Sequence, residues 1–252
     1  MNNKIIALLF LGMVAFSCDK SEEIQLNGES LTENDLDICK NAHCPEITVN
    51  YLKVLGDGKV AKRVNSTIEN FIISSLSLGE NENLKGKSIK EAAADFAKIY
   101  FSDKKNFPDI SADYFAEISV SEIYNTVDHI CLEMRQYLFT GGAHGYGTAS
   151  FYNFDPRTGE ELTFDELFKN KKAFMEFAEN KFREQQKIDN TQSINDPGFW
   201  FEDDTFSLPN SVGFTQDSLI FVYNQYDIAS FADGPIELRI SINDAKPFLN
   251  RE

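Results

Sequence analysis

Apolar residues in this chain recur at helical spacing over one block and at every second position over another. Val60, Val64, Ile68, Phe71, Ile72 and Leu76 share one face of an α-helical period, which predicts an amphipathic helix over Lys59–Leu78. Ser88 and Glu91 form a capping-box pair that opens a second helix through Phe101, with Ile89, Ala93, Phe96 and Tyr100 inward. Upstream, Glu46–Leu52 alternates as a strand. From Tyr114 the period becomes two. Ile118, Val120 and Tyr124 mark one strand and His129–Phe139 a second, joined through Asn125–Asp128; Thr148–Phe154 is a third.

Asp155–Gly159 reads as a tight turn, and Thr163 with Glu166 as a second capping box opening a short helix to Phe168. A longer helix follows over Lys171–Gln186. The closing strands are expected at Phe206–Leu208, Ser211–Phe214, Leu219–Tyr223 and Ile236–Ile242. Helices and strands come in blocks rather than in strict alternation. That pattern predicts an α+β fold, a largely antiparallel sheet packed with several helices.

The N-terminus places the protein in the cell. Lys4 precedes the apolar run Ile5–Phe16, which is shorter than the roughly 20 residues a helix needs to cross a bilayer. It reads as a signal peptide over residues 1–17. Ala15-Phe16-Ser17-Cys18 resembles a lipobox, which makes Cys18 the expected site of lipidation and the new N-terminus. Polar, acidic sequence over residues 18–38 is expected to be a solvated tether. The expected location is the cell envelope: extracytoplasmic, outer-membrane, periplasmic or surface-facing, with the membrane engaged through the lipid anchor only.

Three further cysteines remain. Cys39 and Cys44 flank a short turn-prone loop, and in an exported protein they are expected to form a disulfide. The rival is a zinc site using Cys39, His43 and Cys44, but no fourth ligand is offered nearby at metal-site spacing. Cys131, between Ile130 and Leu132, is expected to be a small core residue.

The charge excludes some partners. With 24 Lys+Arg against 40 Asp+Glu the formal net charge is −16, the wrong sign for a nucleic-acid binder. An acidic surface instead favours encounter with a cationic partner.

Two segments stand out as candidate binding elements. In Thr140–Gly147, Gly141, Gly142, Gly145 and Gly147 surround His144, which suits either close approach of backbone to a ligand or a tight inter-strand connection. His144 has three readings: an acid/base, a ligand contact, or a side chain satisfying exposed backbone groups. The second segment, Tyr223–Pro235, mixes aromatics with amides and carboxylates; Tyr226, Asp227 and Phe231 are its candidate contacts. His129, beside a hairpin turn, suits a surface or strand position. The chain has no nucleophile elbow, Walker loop, dinucleotide fingerprint or zinc-hydrolase motif. No metal, cofactor or catalytic residue is expected.

Gly141–Gly145, then Asn153-Phe154-Asp155 with Thr158-Gly159-Glu160, Leu162-Thr163 and Asp165–Phe168, resemble the domain of unknown function family 3298. So do Leu219-Ile220-Phe221, Tyr226–Ala229 and Gly234-Pro235. The upstream strand and helix over Ile47–Leu76 resemble a companion family, 4163. The resemblance implies an α+β extracytoplasmic module of the kind found in lysozyme-sensing anti-sigma factors and beside the catalytic domain of peptidoglycan deacetylases. It brings no established catalytic residue. Gln225 and Ser230-Phe231 stand where the family pattern has Pro and Pro-Tyr. The expected division is a 4163-like subdomain over 39–110 and a 3298-like subdomain over 111–252, forming one compact unit.

These observations lead to a non-enzymatic, lipid-anchored envelope protein that binds a peptidoglycan fragment or a cationic protein such as lysozyme. The alternatives are an envelope glycan hydrolase using His144 with a nearby acid, and a purely structural lipoprotein.

Overall fold

The structure, a computed structural model, describes residues 23–79, 88–108 and 112–250. The expected signal peptide and Cys18 lie outside these residues.

Five strands form the main sheet in the order β1-β2-β3-β4-β5: β1 Leu26–Thr32, β2 Glu46–Val54, β3 Phe115–Asn125, β4 Ile130–Phe139 and β5 Tyr146–Phe154. All neighbours are antiparallel except β2 and β3, which run parallel. A parallel pair needs a long crossover. Helices α1, Lys59–Leu76, and α2, Ile89–Asn106, lie in that crossover. The Ser88–Glu91 capping box forms as its sequence predicts, with both reciprocal bonds present.

Alternation along the strands sends Ile47, Val49, Ala116, Ile118, Val120, Leu132 and Met134 to one face. There they pack against Val64, Ile68, Ile72, Ala93 and Phe96 of the two helices. Because β2 and β3 pair directly, the segments before and after residue 110 share one sheet and one core.

Part of the opposite face is covered by a second sheet, β6-β7-β8, from Gly213–Phe214, Ser218–Tyr223 and Ile236–Ser241. Cys131, Ala149 and Phe151 of the main sheet join this second core. A side chain at Gly213 would lie 2.7 Å from the Phe151 ring, so the sheets approach closely only because that position lacks a Cβ. Helix α4, Lys171–Gln186, backs the small sheet, with Phe174 and Phe182 reaching Phe221 and Tyr223 at 6.1 and 5.8 Å between ring centroids. Short helices α3, Phe164–Leu167, and α5, Ile242–Ala245, complete the α+β arrangement.

Four expectations need correction. From Leu26 onward the expected acidic tether is instead edge strand β1, followed by two 3-10 turns with Leu36 buried. Leu-Asn-Gly-Glu-Ser lacks apolar alternation, so backbone pairing with β2 forms this strand without a buried side-chain stripe. Phe206–Leu208 is irregular chain rather than strand, and β6 is only two residues long. Ile242, the last residue of the expected final strand, instead opens α5. His129 is buried, not exposed: it bonds the Asn153 side chain at 2.8 Å and meets the Phe214 ring edge-on.

Candidate functional site

The glycine-rich connection leads into β5, and the second distinctive segment follows β7. Gly141 and Gly142 take φ of +81° and +133°, values open to residues without a Cβ. Gly145 and Gly147 serve a different purpose. The Tyr137 ring of neighbouring β4 lies over both, and a Cβ at either would meet it at 2.7 and 2.8 Å. An aromatic ring covering glycines of the next strand restores contact that the missing side chains forgo.

The two segments meet. The His144 imidazole stacks on the Phe231 ring at 3.7 Å between centroids, with 20° between the planes. His144 Nδ1 donates to the Gly145 carbonyl at 3.1 Å, which leaves Nε2 to accept from the Tyr226 hydroxyl at 3.4 Å. Tyr226 also lies against Phe231, at 5.8 Å. Tyr226 is half exposed, at 51%. Its φ of +71° is unusual for a side chain of its size. It occupies the third position of a turn closed by Asp227 N–H donating to Asn224 O at 3.0 Å. Asp227 caps the same turn, its carboxylate accepting from Asn224 N–H at 2.7 Å. Gly141, Gly142 and Asp227 therefore shape the loops, while His144, Tyr226 and Phe231 present rings.

A residue that sequence reasoning missed ties the site together. Asn224 accepts from Ala149 N–H at 2.7 Å and donates to Ala149 O at 3.1 Å, imitating a paired strand on the outer edge of β5. Its signal was an amide directly after the fully buried strand Ser218–Tyr223.

This bridge separates two clefts that share Ala149, Val222 and Asn224. The first, about 530 Å³, has a floor from the main sheet with Glu117, Arg135 and Tyr137, and a wall with Gln225, Pro235 and Glu237. The second, about 620 Å³, runs between β5 and the chain around Pro209. Beneath it Tyr223 donates to Ser207 O at 2.6 Å, and burial raises its phenol above the usual range. In the first cleft Arg135 donates to Glu133 at 2.7 Å; that bond, with Glu237 adding to it, holds the guanidinium above its ordinary pKa. His144, Tyr226 and Phe231 do not line the cleft. They sit beside it, joining the loops whose neighbours Gly147, Thr148, Gln225 and Pro235 do.

Cys39 and Cys44 form a disulfide, with Cα atoms 5.5 Å apart, and so are not zinc ligands. His43 instead bonds Asp113 at 3.0 Å, and Asp113 also accepts from Tyr100 at 2.8 Å and pairs with Lys104 at 3.0 Å. Hydrogen bonds from His43, Lys104 and Tyr100 hold the Asp113 carboxyl well below the usual range. Among the described residues no group of three His, Cys, Asp or Glu side chains is placed to hold a metal ion. Cys131 is a buried free thiol, pushed up to about 12 by burial. Among the described residues no helix is long and apolar enough to cross a membrane. A disulfide of this kind suggests an extracytoplasmic location.

Comparison with known proteins agrees with the resemblance carried by the sequence. Residues 165–243 match the family model "Protein of unknown function (DUF3298)", and residues 38–146 match the model "Deacetylase PdaC". Gly141–Gly145, expected to belong with the 3298 resemblance, fall instead within the second of these matches. Two solved structures share the fold. A DUF3298 family member from Bacteroides fragilis superposes with a TM-score of 0.67 at 20% identity, covering 90% of this chain and 93% of its own. A DUF3298 family protein from Pseudomonas aeruginosa gives 0.64 at 17%, covering 92% and 96%. No curated protein matches.

Proposed function

We propose that this is a lipid-anchored envelope protein that binds a cell-wall glycan in the cleft beside the His144–Phe231 stack, without turning it over. The observation that carries the reading is the composition of that cleft. Its lining combines an exposed aromatic ring, Tyr137, with side-chain amides of Asn224 and Gln225, carboxylates of Glu117 and Glu237, and Arg135. Sugars present apolar ring faces and a hydroxyl periphery, so they are recognised by aromatic platforms rimmed with bidentate polar groups. The cleft lies where two sheets meet, bounded on one side by the Asn224–Ala149 bridge.

The arrangement of His144 supports binding over hydrolysis. Both its ring nitrogens are engaged, by Gly145 and Tyr226, and one ring face is covered by Phe231. The ligand class rests on this chain's own residues.

Calorimetric titration of the purified protein with soluble peptidoglycan fragments, chito-oligosaccharides and lysozyme tests the reading. Saturable glycan binding that is weakened by Tyr137→Ser, with no release of reducing ends, is the expected result. Binding to lysozyme alone, steeply reduced by salt, transfers the function to a cationic protein partner, for which the net charge of −16 is the supporting feature. Release of product abolished by His144→Ala overturns the non-enzymatic reading.

A further inference from the structure

The chain enters the fold at one end of the main sheet. Asn125 Nδ2 donates to Ile24 O at 3.0 Å, and Leu55 N–H donates to Gln25 O at 3.0 Å, so the body holds the chain from Ile24 onward. Leu26 of β1 pairs with Val54, the last residue of β2. The pairing of β2 through β5 brings the turn between Asn125 and Ile130, and the end of β5 at Phe154, to the same end. The glycine-rich connection before Tyr146 and the disulfide loop before Glu46 lie at the other end. Glu117, Tyr137 and Gly147, paired in one row across β3, β4 and β5, place the candidate cleft in that far half.

The entry end differs from the acidic surface elsewhere. Leu55, 53% exposed, and Val127, 36% exposed, stand on the two turns that flank Ile24 and Gln25. Where α1 leaves the Leu55 turn, Lys59, Lys62 and Arg63 with Ser66 and Thr67 line a shallow depression of about 690 Å³. Arg63 is paired with Glu160 at 2.7 Å, whereas Lys59 and Lys62 are exposed and in no ion pair among the described residues. Asp128 and Asp155 on the neighbouring turns both pair with Arg157, at 3.6 and 3.2 Å. Against Asp57 on the turn itself stand two lysines open to an anion.

We infer that this end of the body rests on the membrane in which the Cys18 anchor sits, with lipid phosphates at Lys59 and Lys62 and with Leu55 and Val127 at the headgroup boundary. The inference rests on the lipid-anchored part of the proposed function and is independent of what the cleft binds. Ile24 is six positions beyond Cys18, a reach of at most about 20 Å even when fully extended. The entry end therefore stays within that distance of the lipid. A chain of formal net charge −16 is repelled by an anionic bilayer as a whole, so contact is made where its unpaired cations gather. Two exposed aliphatic side chains beside those cations suit the boundary between headgroups and acyl chains. Held this way, the cleft is carried roughly 20 Å farther out along β4, on the side away from the membrane.

Full-length protein purified with its acyl chains is placed in vesicles of phosphatidylcholine alone and of phosphatidylcholine with phosphatidylglycerol. Acetylation followed by mass spectrometry is expected to modify Lys59 and Lys62 about fivefold more slowly on the phosphatidylglycerol vesicles. Lys172 on α4, with its side chain 89% exposed, is expected to react equally on both. A fluorophore on Val127→Cys is expected to be quenched by lipid spin-labelled at the headgroup, and Lys59→Glu with Lys62→Glu to relieve that quenching. Both lysines are exposed and acidic residues suit the start of a helix, so this double variant is expected to keep the parent melting temperature. Equal modification on both vesicles, or an unquenched probe, overturns the docking and leaves the anchor and cleft readings standing. Protection of the lysines by inorganic phosphate without quenching assigns the depression to a soluble anion. Protection that follows protein density rather than lipid charge assigns it to a second copy, and either result overturns the inference. Cys18 found without an acyl group in protein extracted from its own membranes overturns the anchored reading and this inference with it, and leaves the cleft reading untouched.

Discussion

The His144 ring lies nearly parallel on Phe231 at 3.7 Å, joining a loop of the main sheet to a loop of the small sheet. Neither ring is deeply buried, and the contact is completed by Tyr226, whose hydroxyl donates to the same imidazole. The pair fastens the two loops at the edge of a cleft that neither sheet forms alone.

Tyr226 holds its place at a backbone cost. A left-handed φ costs a residue with a Cβ about 1–2 kcal/mol relative to glycine. Tyr226→Gly is therefore expected to leave the protein equally stable or stabilised by up to about 1 kcal/mol, while glycan affinity falls. Urea melts and calorimetry on one protein preparation check both signs. A clear loss of stability with unchanged affinity would show that the ring serves packing alone.

Asn224→Ala removes both bonds to Ala149 and leaves a strand-edge N–H and C=O without their partner. At about 1–1.5 kcal/mol per bond, the expected loss is about 2–3 kcal/mol, a drop in Tm of roughly 5–10 °C for a chain of this size. Asn224→Asp keeps the acceptor but loses the donor, and is expected to fall between. If both variants melt like the parent, the bridge does not hold the sheets together.

The cysteines should separate sharply in a thiol assay. Cys131 is buried with its thiol raised to about 12, so a variant carrying Cys18→Ser is expected to give no reaction with Ellman's reagent in the native state at mildly alkaline pH and one thiol after unfolding. Reduction adds Cys39 and Cys44. Losing a bridge that closes so short a loop is expected to cost about 2 kcal/mol. Rapid labelling of Cys131 in the folded state would contradict its burial.

Asp113 gives the fold an acid-sensitive clasp between the disulfide loop and α2. Its folded pKa lies below the unfolded carboxylate value, so its contribution is fully present above about pH 4 and is lost as pH falls through the folded value. Asp113→Asn is expected to lower Tm near neutral pH and to flatten the acid limb of the Tm-against-pH curve. An unchanged acid limb would assign acid sensitivity to other carboxylates.

The sequence by itself determined most elements and the fold class. Helices α1, α2 and α4 follow from apolar spacing and caps, β3, β4, β5 and β8 from alternation, and β7 from a continuous apolar run, because these signals are local. The Cys39–Cys44 pairing was legible for the same reason, its partners being five residues apart. Edge strand β1 was not, because it is built by backbone pairing to β2 and carries no apolar stripe of its own. The burial of His129, read as a surface or strand position beside a turn, was not legible, because its partner, Asn153, is 24 positions away.

The candidate site divides along the same line. Its unusual residues, His144, Tyr226 and Phe231, stood out by composition within their own loops. Their meeting across 82 positions and the Asn224–Ala149 bridge across 75 exist only when two sheets pack face to face. Local propensity is written residue by residue, whereas a cleft is the gap left between surfaces. Its shape depends on contacts whose partners the chain order does not reveal.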